Sequence, residues 1–466
     1  MSRPRHRWTK GAAYSRITVR FARHRGHEGG RLTQLALRGG KPAVSRDLRV
    51  RWPVIGAEER EAALQVLDSG VLCGSRAPQV RALEDEFARF VGAKFCLATN
   101  SGTAALHMAV TAAGIEPGDE VITSAFTYPS TALAILQHNA VPTFADIDPV
   151  TFNIEPGGIE ERITSRTRAI MPVHIHGLPC DMDAINAIAR QRDLVVIEDA
   201  AQAHGATYRS RMAGALGDMA GFSLNATKNL PCGEGGLFVT SNERLLGRAA
   251  SLRILGQSRD EVPLDPDHPL DSQGDSEFSG MGFMYLTQEI PAALARIQLR
   301  RLAQSNANAA ANALLLTSRL SALPGVLPPH CPADRTHVYH KYRVRLDPRA
   351  MGLSVDPRLA RDRVMAALRA EGVEVSLWLD RPVPEMKIFQ ARTGYGGGCP
   401  WTCHGSDVRY GVGEFPRTTA LLADSFVVGS QSYPLFPQPR ALMEQYADGF
   451  EKVIPRMTEL LGSGAS

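Results

Sequence analysis

The sequence predicts an α/β protein built on a buried, largely parallel sheet flanked by helices. Three observations point there. Between residues 95 and 199, short apolar runs alternate with helical stretches. Those runs are apolar along their length rather than in alternation, as strands covered on both faces are. After Asn242 the pattern turns mainly helical, which sets a second, smaller unit behind the first.

The elements follow in order. Globular patterning begins near Arg49-Val50-Arg51-Trp52-Pro53. Residues 57–69 carry apolar positions at helical spacing, and Gly70 supplies the stop. Residues 77–91 read as a second amphipathic helix. Cys96-Leu97-Ala98-Thr99 is a short strand, after which Ser101-Gly102-Thr103 opens an Ala-rich helix from Ala104 to Ala113. Strand and helix then alternate: 120–123 and 130–138, 142–146 and 158–163, 169–173 and 182–191. Leu194-Val195-Val196-Ile197-Glu198 is a strand whose end delivers Asp199. Beyond it come a short helix at 249–256, a polar excursion at 257–280 and a long helix at 287–322 ended by Pro324. A strand at 340–345, a helix at 358–371, a loop at 392–416 and a last helix at 439–461 complete the chain. With a boundary near 295–325 and no internal repeats, the expected division is an arm at 1–38, a large domain at 39–300 and a small one at 301–466.

Composition narrows the function. The first 31 residues hold nine Lys/Arg against one acid, Glu28, which exceeds the chain's net charge of +4. The remainder is therefore acidic and gives no reason to expect nucleic-acid binding. The basic segment reads as a disordered arm or as the product of an upstream translation start. Without an apolar run behind its charges it is not a secretory signal. No apolar stretch is long enough for a transmembrane helix. Seven Cys in 466 residues read as thiols of a reducing cytosol, so a cytoplasmic location is expected.

Three local patterns carry chemistry. Asn100-Ser101-Gly102-Thr103, between a strand and a helix, exposes backbone N–H groups at the positive end of a helix dipole, which suits a phosphate; an ordinary N-capped helix reads the same way. Asp199, at the end of a buried strand, is costly unless it meets a cation such as a protonated pyridine; it could equally cap the next turn. Lys228 lies in the small-residue run Gly221-Phe222-Ser223-Leu224-Asn225-Ala226-Thr227-Lys228, where a lowered amine pKa would make it a nucleophile, against the alternative of a solvated loop lysine.

In this order and spacing the three resemble the DegT/DnrJ/EryC1/StrS family of pyridoxal-phosphate-dependent sugar and cyclitol aminotransferases. The resemblance runs from about Gly39 to about Val453 and includes Thr151-Phe152-Asn153-Ile154-Glu155-Pro156, the run from Val173 to Met182 and that from Glu198 to Ala206. It implies a fold-type-I enzyme whose large domain holds a mixed, mostly parallel sheet and whose smaller C-terminal domain is α+β. It implies that Lys228 carries pyridoxal 5′-phosphate as a Schiff base and shuttles the proton, while Asp199 keeps the pyridine nitrogen protonated. Gln202 would face the O3′ side, and Ser101, Gly102, Thr103 and Ser223 would hold the phosphate. Tyr128 would stack on the ring. The partners implied are a small-molecule amino donor (L-glutamate or L-glutamine), a keto acceptor and a second copy of the chain. The Gly39-Gly40-Lys41-Pro42-Ala43-Val44 run looks like that of cyclitol and related enzymes of antibiotic pathways.

One departure stands out. Where the family carries Gly-x-Asn-x-Arg-Met, this chain has Gly282-Phe283-Met284-Tyr285-Leu286-Thr287. The family's Asn reaches the phosphate of the neighbouring subunit's cofactor, and Met284 cannot donate a hydrogen bond. An altered reaction at a non-sugar carbonyl, or a non-catalytic homologue, are the alternatives to sugar or cyclitol amination. His340 and Tyr395 are the candidates for substrate contact, His340 being equally readable as structural. Cys399, Cys403 and His404 lack a second ligand pair, so no metal is expected there; a substrate-lining or dimer-contact loop is. Cys232 reads as a packing residue.

Overall fold

A computed structural model describes residues 34–74, 77–257, 278 and 280–461. Thirteen strands form two main sheets and a short ribbon. They are Phe95–Thr99 (β1), Glu120–Ser124 (β2), Val141–Ala145 (β3), Thr167–Met171 (β4), Val195–Asp199 (β5), Thr207–Tyr208 (β6), Arg211–Met212 (β7), Met219–Ser223 (β8) and Gly236–Thr240 (β9). Behind them come Val326–Leu327 (β10), Tyr342–Leu346 (β11), Val375–Ser376 (β12) and Ser425–Val428 (β13). The large sheet has the order β1-β9-β8-β5-β4-β2-β3. Only β9 runs against its neighbours; the pairs from β8 through β5, β4, β2 and β3 are parallel. The smaller sheet is antiparallel, β10-β11-β13-β12.

Helices Ala57–Ser69 (α1), Pro78–Val91 (α2), Gly102–Ala112 (α3), Ser130–Gln137 (α4), Pro156–Glu160 (α5) and Met182–Arg192 (α6) lie where the sequence places helices, give or take a turn. Gly70 closes α1 with φ +69°, a conformation that favours glycine. α3 is nearly all small or apolar and is buried almost throughout. It packs against β8, β9 and α4 in a core with Leu97, Ile197, Phe238 and Leu245.

The structure corrects the sequence reading in several places. The helix expected at 249–256 is Glu243–Arg253 (α7), started by Asn242, whose side chain accepts from the N–H groups of Arg244 and Leu245. The helix expected at 439–461 is interrupted: it runs over Arg440–Val453, passes through a tighter turn at Ile454–Arg456, where Pro455 can donate no backbone hydrogen bond, and resumes as a short helix at Met457–Leu461. Residues 34–38, assigned to the arm, are ordered: Leu35 is buried in the core of the smaller sheet, and Ala36 N–H donates to Glu371. The rest of the arm, to residue 33, and the excursion from 258 to 277 fall outside the described residues. Cys399 and Cys403 are not free thiols. A turn of positive-φ glycines, Gly396, Gly397 and Gly398, brings their Cα atoms to 5.3 Å, and they form a disulfide; Cys73, Cys96, Cys180, Cys232 and Cys331 remain free.

The long helix Glu289–Leu320 (α8) runs through the boundary expected at residue 300. Its first half buries Ala292, Ala295 and Leu302 against α2 and the large sheet. Its second half buries Ala313, Leu316 and Leu320 with β11, β13 and the helix Pro357–Ala370 (α9). Asn312 ties it further, donating to the carbonyls of Leu435 and Gln438. Among the described residues no helix is long and apolar enough to cross a membrane.

Candidate active site

The parallel strands of the large sheet end together, and the turns beyond those ends carry the chemistry. β1 leads through Asn100 to Ser101, whose hydroxyl accepts from Ala104 N–H and caps α3 at 3.1 Å. Gly102 is the first helical residue. A Cβ there would lie 2.6 Å from the Cβ of Ser223 at the end of β8, and one on Gly236 would strike the Ser101 carbonyl. Glycine at both positions therefore leaves a shallow cradle beside a helix N-terminus, with Thr103 on the same turn and the Ser223 hydroxyl at its edge. Such a cradle suits a phosphate.

β5 presents two carboxylates to opposite sides, as the two-residue period of a strand requires. Glu198 points away from the cleft and is structural. It accepts from the N–H groups of Gly214, Leu216 and Gly217, each at 2.7 Å, and from His174 Nε2 at 2.8 Å. Asp199 faces the other way. Thr131 of α4 donates to it at 2.7 Å and Ala201 N–H at 3.1 Å. Burial raises its pKa against those two donors and Lys228, so the carboxylate lacks a strong cationic partner. A protonated ring nitrogen would supply one. Gln202 is buried, and its Oε1 accepts from His176 N–H at 2.9 Å, leaving its amide nitrogen without a protein acceptor among the described residues.

Lys228 sits in the loop between β8 and β9. Its backbone N–H donates to Asn225, and its carbonyl accepts from the Trp52 indole at 3.1 Å. Burial lowers its amine from 10.5 to about 8, although Asp199 and Glu234 pull the other way. A lysine so placed carries a sizeable free-amine fraction near neutral pH. The next residue, Asn229, accepts from His340 Nδ1 at 3.2 Å while donating to the Val338 carbonyl. Burial first, then the charges of Lys341 and Lys228, holds His340 well below the usual histidine range, so it is neutral.

The structure therefore brings Lys228, Asp199, Gln202, Ser223, Ser101, Gly102, Thr103 and His340 to one cleft. Tyr128 is at its rim, in the turn that carries Thr127 and Thr131, with its ring 56% exposed. Tyr395 is not brought in: its hydroxyl donates to the Gln137 carbonyl at the end of α4. Met284 approaches the cradle through its backbone, since Asn100 Nδ2 donates to its carbonyl at 3.3 Å. Sequence reasoning missed Thr131, Asn229 and Trp52. Thr131 alone had a local signal, a hydroxyl in the first turn of a helix after a strand; the other two act through contacts distant in sequence.

Comparison with known proteins bears on the family and the fold. Residues 53–407 match the model of the DegT/DnrJ/EryC1/StrS aminotransferase family. The spore coat polysaccharide biosynthesis protein SpsC of Bacillus subtilis is 40% identical over 68% of this chain and 79% of its own length. GDP-perosamine synthase of Caulobacter vibrioides is 38% identical over 70% of this chain and 83% of its own. The crystal structure of DesV from S. venezuelae superposes with a TM-score of 0.72 at 30% identity, covering 85% of this chain and 94% of that one.

Proposed function

Because this chain belongs to the DegT/DnrJ/EryC1/StrS aminotransferase family, whose members work with pyridoxal 5′-phosphate, we propose a specific reaction for its cleft. The enzyme moves the amino group of L-glutamate or L-glutamine to a keto group on a cyclitol, sugar or nucleoside-like acceptor, within an antibiotic or related secondary pathway, as a cytoplasmic homodimer. The observation that carries this reading is the pairing, in one cleft, of a lysine with a lowered amine pKa and a buried carboxylate short of a cation. SpsC, GDP-perosamine synthase and DesV support the sugar-like acceptor by likeness.

The residues present fit the cofactor, since the cradle exists only while Gly102 and Gly236 lack side chains. Ser101, Gly102, Thr103 and Ser223 would hold its phosphate, Asp199 its ring nitrogen, Gln202 its O3′ side and Tyr128 its ring face. When bound, the group supplies an aldehyde for the amine and a ring that accepts the electrons left when a proton departs from the donor's α-carbon. Lys228 would anchor it and, as a free amine, would be the group that moves the proton from the donor's α-carbon. An amine whose pKa lies near the working pH serves both as base and as acid. Thr131 and Ala201 hold Asp199 in place, and burial strengthens its attraction for a protonated ring nitrogen. A second reading, transfer to a non-sugar carbonyl, is favoured by Met284 and Leu286, which put thioether and alkyl groups where the family has polar ones.

The test is a donor and acceptor screen on purified protein, with Lys228→Ala as control. Wild type given L-glutamate or L-glutamine should convert its bound cofactor to the amine form, and then aminate a keto sugar or inosose. Borohydride should fix the label at Lys228. Labelling at another lysine would overturn the assignment, and conversion only with non-sugar carbonyls would favour the second reading.

A further inference from the structure

The loop after β4 and the start of β11 meet beside the cleft, and the meeting leaves two donors without acceptors. Lys341 N–H donates to the His176 carbonyl at 3.3 Å, which fixes β11 against residues 175–177. Arg343, two residues on, donates from all three of its nitrogens. Its Nε donates to His176 Nε2 at 3.0 Å, its Nη1 to Ser425 at 2.7 Å and its Nη2 to the Trp378 carbonyl at 3.0 Å, with the guanidinium 5.1 Å from the Phe126 ring centre.

A guanidinium can only donate, so His176 Nε2 is the acceptor of that bond. The single proton of the neutral ring then lies on Nδ1. His176 is neutral, because burial and the charges of Arg343 and Lys341 hold it well below the usual histidine range. Its Nδ1 is buried and meets no acceptor in good hydrogen-bonding geometry among the described residues, although the Gln202 side chain lies nearby. The Lys341 side chain makes no ion pair or hydrogen bond among the described residues, and burial with the charges of Lys228 and Arg343 lowers its amine to about 7. Both side chains line one cavity, about 10 Å³ in free volume, room for about one water-sized group. Among the described residues no Asp or Glu lines it.

A buried N–H left without an acceptor is destabilising. Water would relieve His176 but would bring no negative charge to Lys341, which is half-buried and meets no carboxylate among the described residues. An oxyanion satisfies both. The neighbours place it: His176 N–H donates to Gln202, and His340, next to Lys341, holds Asn229, next to Lys228.

We propose that Lys341 and His176 form an oxyanion subsite that takes one oxygen of a carboxylate or phosphoryl group of a molecule reacting at Lys228. The inference rests on the aminotransferase reading above and extends it to substrate recognition. The amino donor carries the first group and a nucleotide-linked acceptor the second.

Lys341→Met and Lys341→Arg decide between the two sources. The conversion of bound cofactor would be followed by absorbance against L-glutamate and L-glutamine. The return half-reaction would be followed against a nucleoside-diphosphate keto sugar and an unphosphorylated inosose. Lys341→Met should raise KM for one class by about tenfold to a hundredfold and change kcat far less, and Lys341→Arg should recover most of the loss. A rise for the amino acids assigns the carboxylate; a rise confined to the nucleotide sugar assigns the phosphoryl group. Unchanged KM values for every substrate, with wild type turning over, would overturn the subsite and leave the reaction standing. If wild type converts no donor, the reaction reading fails. Calorimetry of the holoenzyme with glutarate and with inorganic pyrophosphate then decides alone: binding that Lys341→Met abolishes supports the subsite, and its absence or insensitivity refutes it.

Discussion

At the scale of single residues, Lys228 and Asp199 are set by opposite uses of burial. Desolvation lowers one pKa and raises the other, so burial opposes the charged form of each. For the protein without cofactor this has a consequence for stability. The amine is at about 8 folded and about 10.4 unfolded, so below pH 8 both states are protonated and the folded state bears the cost of a buried charge. As pH rises from 8 towards 10 the unfolded chain binds more protons and the cost is relieved. The cofactor-free Lys228→Met variant should therefore melt higher than cofactor-free wild type at pH 7, by a margin that shrinks above pH 8; an equal margin at pH 7 and pH 10 would refute the assignment. Thr131 is a positioning residue acting through Asp199. A bond to a charged group is worth about 1.5–3 kcal/mol, so Thr131→Val should slow the donor half-reaction about tenfold or more, while Asp199→Asn should cost about 10²–10⁴ in rate. Stopped-flow absorbance of the bound cofactor checks both.

At the scale of elements, two parts of the fold invite direct tests. Gly102 begins α3 where β8 passes beneath it, and a side chain there collides with Ser223. Gly102→Val should leave the far-UV spectrum intact but release the cofactor on dialysis; retention at wild-type affinity would mean the phosphate lies elsewhere. Leu316 is fully buried on the second half of α8, and Leu316→Ala should cost about 2–5 kcal/mol in urea unfolding. The same elements show what a sequence can disclose. Gly102 and Lys228 were legible because a small-residue turn after a strand and a lysine in a small-residue run form local patterns, whereas Ser223 came only through the family resemblance. β8 and β9 were not read as strands, since Met219–Ser223 and Gly236–Thr240 are five residues each, and glycine weakens the strand signal. The break at Pro455 was passed over because apolar spacing continues through it. His176 and Lys341 lay in runs that were read, but nothing in those runs signalled this role. Their roles come from the approach of β11 to the loop after β4, across more than 160 residues, and no local periodicity reports such closure.

At the scale of the whole molecule, the apolar surface is uneven. Isolated exposed apolar side chains are ordinary, whereas a contiguous group marks an interface. Leu255, Phe278, Met281 and Met284 are all exposed, Met281 at 86%. Residues 283–285 are laid along the end of α7 by hydrogen bonds to Leu252, Arg253 and Leu255. Gly256 and Gly282 make that approach possible, since a Cβ on either would strike the other strand of the turn. The exposed Leu72 lies at the start of α8, just after that segment, its carbonyl accepting from Glu289 N–H. The group also carries Met284, whose carbonyl meets Asn100 at the cradle. A second copy seated here would cover this surface and stand next to the cofactor site, which is the arrangement proposed for the homodimer. Sedimentation equilibrium should then return about twice the chain mass of 50.5 kDa. The double substitution Met281→Glu and Met284→Glu, which puts two charges into that surface, should weaken association by at least about tenfold. Turnover should fall with the dimer fraction and recover as protein concentration rises. A wild-type chain that sediments as a monomer while turning over fully would show that this face has another occupant and that one copy completes the site.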